Sequence, residues 1–196
     1  WYKMNKASNF EEWEDAMSMM AIPSFNTGYA DKDGNIFYVY NAKFPVRSPG
    51  YDWSGILPGN TSETLWNGNI TFADLPQVKN PNSGFIQNCN SSPFQTTVGN
   101  DNPDESQFPE WFGIETVMTN RSLRSLELFG ADNQISTNEM MKYKYDLKYS
   151  KKSNLAGVIK RTSEIVTDNP LLITAILVLQ KWDLQTTIQN PHTAFA

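Results

Sequence analysis

The stretch SFNTGYADKDGNIFYVYN, Ser24 to Asn41, decides the fold class. Its middle, Asp31-Lys32-Asp33-Gly34, has turn chemistry. Aspartate carboxylates bond their own backbone, and glycine takes the positive φ that a tight reversal needs. The flanks are aromatic and β-branched, which suits a pleated, half-buried surface. The stretch predicts a hairpin with strands over Ser24–Ala30 and Asn35–Asn41. Just upstream, Phe10, Trp13, Met17 and Met20 recur at helical spacing behind Ser8-Asn9-Phe10-Glu11, a Ser-x-x-Glu capping box, and Pro23 closes that helix.

Downstream the pattern loosens and then changes. Residues 45–82 are rich in Pro, Gly, Asn, Ser and Trp and read as a long ordered loop, whose aromatics (Tyr51, Trp53, Trp66, Phe72) call for packing partners. A short strand is expected over Gly84–Cys89. Ser91 to Pro109 is irregular, with Asp101, Asp104 and Glu105 clustered. Asn120 can cap a helix that stops at Gly130, and Ser136-Thr137-Asn138-Glu139 is a second capping box. Leu155–Thr167 and Leu171–Leu184 read as a helical pair parted by Asp168-Asn169-Pro170. The expected layout is a β-rich part over 1–116 and a helical section over 117–196, which makes the fold class α+β.

Bulk properties narrow the function. With 13% aromatics the chain has the means to bury a core, and a net charge of −5 offers no general basic field for nucleic acid. Leu171 to Leu179 is the longest apolar run and is too short to span a bilayer. The chain opens at Trp1-Tyr2-Lys3-Met4, which reads as the middle of a helix, so a piece of a longer polypeptide is expected.

Several residues invite chemistry. A serine-hydrolase triad needs a histidine, and the single one, His192, sits beside Pro191 near the carboxy end, where a surface role fits better. One His and one Cys cannot supply a zinc site. Asp31-x-Asp33-Gly34-Asn35 opens like a calcium loop, but position 42 is Ala where the loop's Glu belongs. Cys89 has no Lys, Arg or His beside it in sequence to lower its pKa, so a small buried hydrophobe is the better reading. The segment Asn80-Pro81-Asn82-Ser83-Gly84-Phe85-Ile86-Gln87-Asn88-Cys89-Asn90-Ser91-Ser92-Pro93 is a turn, a short extended run and a cluster of amides and hydroxyls. Neutral amide donors can stabilise an oxyanion, and they can equally tie down a loop.

Taken in order, a set of short stretches resembles the penicillin acylase family of N-terminal-nucleophile (Ntn) hydrolases, which includes cephalosporin and acyl-homoserine-lactone acylases. They are Tyr29-Ala30-Asp31-x-x-Gly34-Asn35-Ile36-x-Tyr38, Pro45-x-Arg47, Trp53-x-Gly55-x-Leu57-Pro58 and Phe72-x-x-Leu75-Pro76. Asn80-Pro81-x-Ser83-Gly84-Phe85, Asn88-x-Asn90-x-Ser92-Pro93, Arg121-Ser122-Leu123-Arg124 and Trp182-Asp183 complete the series.

The resemblance implies part of an αββα sandwich with an attached helical section. It implies a serine freed at the amino terminus of a β-subunit, upstream of Trp1, whose own α-amine acts as base. It places an oxyanion-hole amide at Asn90 and a supporting arginine at Arg121. No cofactor is implied. The implied partners are the rest of the acylase (the α-subunit and the N-terminal part of the β-subunit) and a small N-acylated substrate, with neither nucleic acid nor membrane. A periplasmic or secreted location follows from the resemblance alone. Cys89 stands where penicillin-G-type enzymes carry Trp, and Arg-Ser-Leu-Arg is closer to the lactone-acylase branch. The rival readings are a non-catalytic ligand-binding or scaffold domain and a self-standing hydrolase using Cys89.

Overall fold

A computed structural model describes residues 1–21 and 23–193, and the chain forms two compact units, Trp1–Val117 and a second from Met118 onward. Helices and a small antiparallel sheet make it α+β. In the first unit, helix α1 (Phe10–Ser18) starts one residue later than the Ser8 capping box predicts. Asn9 Oδ1 accepts the Glu12 backbone N–H at 2.8 Å, and the Glu12 carboxylate accepts the N–H of Ser8 at 2.8 Å. Asn caps as well as Ser does, and Glu12 supplies the reciprocal carboxylate in the shifted register. The helix ends well before Pro23, and Met20 takes φ +44° in the exit turn.

The hairpin forms as the turn chemistry requires, with β1 (Ser24–Ala30) antiparallel to β2 (Ile36–Ala42). Asp31 organises the turn. Its carboxylate accepts from the Asn35 side chain at 2.7 Å, from the backbone N–H groups of Asp33 and Asn35 at 2.9 Å each, and from the Tyr29 hydroxyl at 3.0 Å. These bonds, the Asn35 amide foremost, hold the carboxyl below the usual aspartate range. The acceptors that suggested a calcium loop therefore serve the hairpin itself.

A third strand, β3 (Gln77–Lys79), lies in the region read from sequence as loop and pairs with β2, so β2 is central. Three residues behind Pro76 carry no period that a sequence can show. The strand expected over Gly84–Cys89 is instead irregular, and its Gln87 N–H donates to Thr96 O at 2.7 Å. The Gln87 and Asn88 side chains bond to Gln95 O and Ser91 O, so the segment's polar groups are satisfied by the following loop rather than by a ladder.

The core lies between α1 and one face of β2. Phe10, Trp13 and Met17 pack with Phe37, Val39, Phe44, Ile70 and Leu75, and the Phe37 ring lies 5.3 Å from Phe10 and 5.8 Å from Trp13, edge to face in both cases. Burying each large apolar side chain contributes roughly 1.5–3 kcal/mol, and each aromatic pair adds about 0.5–1.5 kcal/mol. Trp66, by contrast, stays 64% exposed despite the expectation that the loop aromatics pack.

The second unit is helical: α2 (Asn120–Gly130), α3 (Thr137–Lys144), α4 (Asn154–Ser163) and α5 (Pro170–Lys181). The Ser136–Glu139 capping box is present in both directions. Helix α4 stops short of the predicted Thr167, and α5 starts on Pro170 behind an Asn169 cap. Helix α5 is nearly all aliphatic, yet only Leu179 is buried, while Leu171, Leu172, Ile173 and Leu177 remain exposed.

Phe37→Ala is expected to lower stability by about 3–5 kcal/mol in a urea melt, because the cavity opens between two rings. Asp31 gives a pH test. Its folded pKa is lowered, so its stabilisation is present above the unfolded value of about 3.9 and disappears as pH falls through the folded one. Asp31→Asn should lower the melting temperature at pH 7, and the gap to the unsubstituted protein should narrow as pH falls below the unfolded value and through the folded one.

Candidate functional site

Alternation along β2 divides its side chains between two tasks. Phe37 and Val39 enter the core, whereas Tyr38 and Tyr40 line a cavity of about 490 Å³ on the opposite side. Asn26 and Gly28 of β1 share that wall, and the segment around Gln87, Asn88 and Asn90 closes it. In the antiparallel register Gly28 lies opposite Tyr38 and Asn26 opposite Tyr40. The Tyr38 hydroxyl therefore reaches diagonally and donates to Asn26 Oδ1 at 2.5 Å. Burial raises the Tyr38 phenol far above its ordinary pKa, which keeps it a neutral donor.

Asn90, the oxyanion candidate, is exposed at the mouth of this cavity with φ +57°. That left-handed conformation suits asparagine better than most side chains. Asn88 holds the turn: its Oδ1 accepts the Asn90 N–H at 3.0 Å and its Nδ2 donates to Ser91 O at 3.1 Å. Immediately after, Ser92 Oγ accepts the Phe94 N–H, and Asn102 Oδ1 accepts from the N–H groups of Thr96 and Thr97 at 2.8 and 3.0 Å. Ser91, Ser92, Thr96 and Thr97 are buried, so the loop behind Asn90 is firmly seated.

The other candidates fall elsewhere. Arg121 is exposed in the first turn of α2, behind the Thr119 cap, and so belongs to the second unit. Asn90 belongs to the first unit. Cys89 is a half-buried thiol outside any disulfide, between Asn88 and Asn90. His192 is half-buried in a terminal turn, where its backbone N–H donates to Asn190 Oδ1. Sequence reasoning did not single out Asn26, Tyr38 or Tyr40 as site residues. The available signal was the run of aromatics on both faces of β2, which implies that both faces are covered.

The motif residues Arg47 and Trp53 line a second concavity of about 400 Å³ with Glu110 and Trp111. Arg47 Nη1 donates to Trp111 O at 2.7 Å, and the guanidinium lies 5.5 Å over the Trp53 ring. That pairing ties two loops of the first unit together.

Chemically, the lining of the first cavity is amide, hydroxyl, aromatic and aliphatic, without a carboxylate, imidazole or amine. An amide N–H can donate to an oxyanion at any pH. It offers no acid–base group able to activate a nucleophile.

Within the second unit, α2 is held from behind its first turn. Arg124 donates to both oxygens of Asp146 at 2.9 and 3.1 Å and to Glu127 at 2.7 Å. Glu127 accepts the Ser150 hydroxyl at 2.5 Å, and the Ser150 N–H donates to Asn120 Oδ1 at 2.8 Å. Ser150 is fully buried. The residue beside Arg121 is thus pinned through four groups.

Comparison with known proteins gives a consistent result. The profile of a family described as Penicillin amidase matches residues 1–196. Penicillin G acylase of Escherichia coli is 40% identical over 93 residues, which are 47% of this chain and 11% of that protein. Among solved structures, a thermostable penicillin G acylase from Alcaligenes faecalis superposes with a TM-score of 0.69 at 24% identity, over 95% of this chain and 32% of its own. The chain thus spans about a tenth of the first relative's length and about a third of the second's.

Arg124→Met is expected to destabilise the helical unit by about 2 kcal/mol, because it strips the partner from two half-buried carboxylates. Thermal unfolding followed by circular dichroism checks this.

Proposed function

The chain belongs to the penicillin amidase family, and from that membership we propose that it is part of an acylase that hydrolyses the linear amide bond of N-acylated small molecules. The substrate class includes β-lactam antibiotics of the penicillin type and acyl-homoserine lactones. In this reading the nucleophile is a serine hydroxyl, freed at the amino terminus of the β-subunit outside these residues. Its proton passes to its own α-amine, whose ordinary pKa of about 7.7–8.0 suits a base at neutral pH. The hydroxyl oxygen bonds the acyl carbon, and the carbonyl oxygen becomes an oxyanion that the Asn90 side-chain amide stabilises. The protonated amine then gives its proton to the departing nitrogen, the C–N bond breaks, and water releases the acid from the ester.

Arg121 orients the asparagine and the amino-terminal region in this scheme. The partners are the remainder of the acylase, and the setting is periplasmic or secreted. The observation that carries the reading is Asn90 itself, an amide held in a left-handed turn at the mouth of an uncharged cavity. A neutral amide donor beside an uncharged wall is suited to an oxyanion.

In the full-length product of the gene that contains this chain, Asn90→Ala should preserve folding and cut turnover of penicillin G or a medium-chain acyl-homoserine lactone by about 10²–10³-fold. Undiminished turnover removes Asn90 from the reaction. Arg121→Ala should lower kcat more than it raises KM.

A further inference from the structure

We propose that Asn88 and Tyr38 are positioning residues for this reaction, which hold Asn90 in the one backbone conformation that presents its amide to the oxyanion. The inference rests on the oxyanion role given to Asn90 and adds a mechanism for its orientation.

A left-handed asparagine is not self-sustaining. The φ of +57° at Asn90 lies where non-glycine residues are strained, and the neighbouring Ser91 is buried while Asn90 itself is exposed. The turn therefore needs a clamp. Asn88 supplies it from both ends of its amide. Oδ1 accepts the Asn90 N–H at 3.0 Å, and Nδ2 donates across the turn to the Ser91 carbonyl at 3.1 Å. The two bonds fix the peptide planes on either side of the Asn90 Cα, and so the direction of its side chain.

The clamp is itself referenced to the sheet. Asn88 Nδ2 also lies 3.5 Å from the Tyr38 hydroxyl, which donates to Asn26 Oδ1 at 2.5 Å. Tyr38 is 1% exposed in the central strand. Its high phenol pKa means that neither end of this chain changes charge across the range in which an α-amine titrates. All four residues, Asn26, Tyr38, Asn88 and Asn90, border the same cavity. A loop donor is thus tied, through two neutral side chains, to the central strand of the sheet. Orientation errors of about 1 Å at a reacting centre can cost on the order of 10²-fold in rate, so such a tie has a kinetic consequence.

The test uses the full-length enzyme, with penicillin G and a medium-chain acyl-homoserine lactone as substrates. Asn88→Ala should lower kcat about 10–100-fold with KM changed less than about twofold, and Tyr38→Phe should lower it about threefold to tenfold. In an Asn90→Ala background, Asn88→Ala should cause no further loss, because the group it positions is gone. An equal loss in both backgrounds would show a merely structural role and overturn the proposal. Hydrogen exchange at the Asn90 amide gives a readout independent of substrate. Asn88→Ala should accelerate it about tenfold or more while the global melting temperature holds, and unchanged exchange overturns the clamp even if neither substrate is turned over. Full turnover by Asn90→Ala alone would instead strike the parent reading and leave the exchange result to stand on its own.

Discussion

Phe37 packed between Phe10 and Trp13 is the contact on which the first unit depends. It joins the helix to the sheet, and it sits on the one strand that has neighbours on both edges. With that ring in place, β2 cannot slip by a residue without moving Phe37 and Val39 out of the core and Tyr38 and Tyr40 into it. The register of the hairpin, the diagonal reach of Tyr38 to Asn26 and the position of the cavity wall all follow. The Asp31 turn cooperates, because its four hydrogen bonds fix where β1 ends and β2 begins.

Much of this was legible in the sequence, for reasons that can be named. The hairpin was readable because turn chemistry is local: Asp31 and Gly34 act within a few residues of themselves. The Ser136 capping box was readable on the same ground, whereas the cap read at Asn120 falls one residue earlier, on Thr119. What failed was non-local. Strand β3 has three residues, and only its partner Phe37-Tyr38-Val39 makes it a strand. Gly84–Cys89 has strand composition, yet its hydrogen bonds go to the loop that follows it. The Asn9 cap shows a smaller version of the problem, since two overlapping registers offered nearly equal chemistry.

The site shows the same division. Composition and spacing marked the segment from Asn80 to Pro93 as rich in amides but could not separate oxyanion donation from loop anchoring. Asn88 and Asn102 bond to backbone and seat the loop, and Asn90 lies exposed at the cavity mouth. Arg121 was visible only through its place in an ordered series of motifs.

The division of labour along β2 bears on how such a pocket can diversify. Phe37 and Val39 carry the cohesion of the unit, while Tyr38 and Tyr40 carry its concave wall. Single substitutions can therefore reshape the wall while the core rings stay fixed. The position that escapes this freedom is Tyr38, which faces the pocket yet is bonded into the loop beyond it. Drift should pass through Tyr40 and the β1 wall first, with Tyr38 as the slow site of the set.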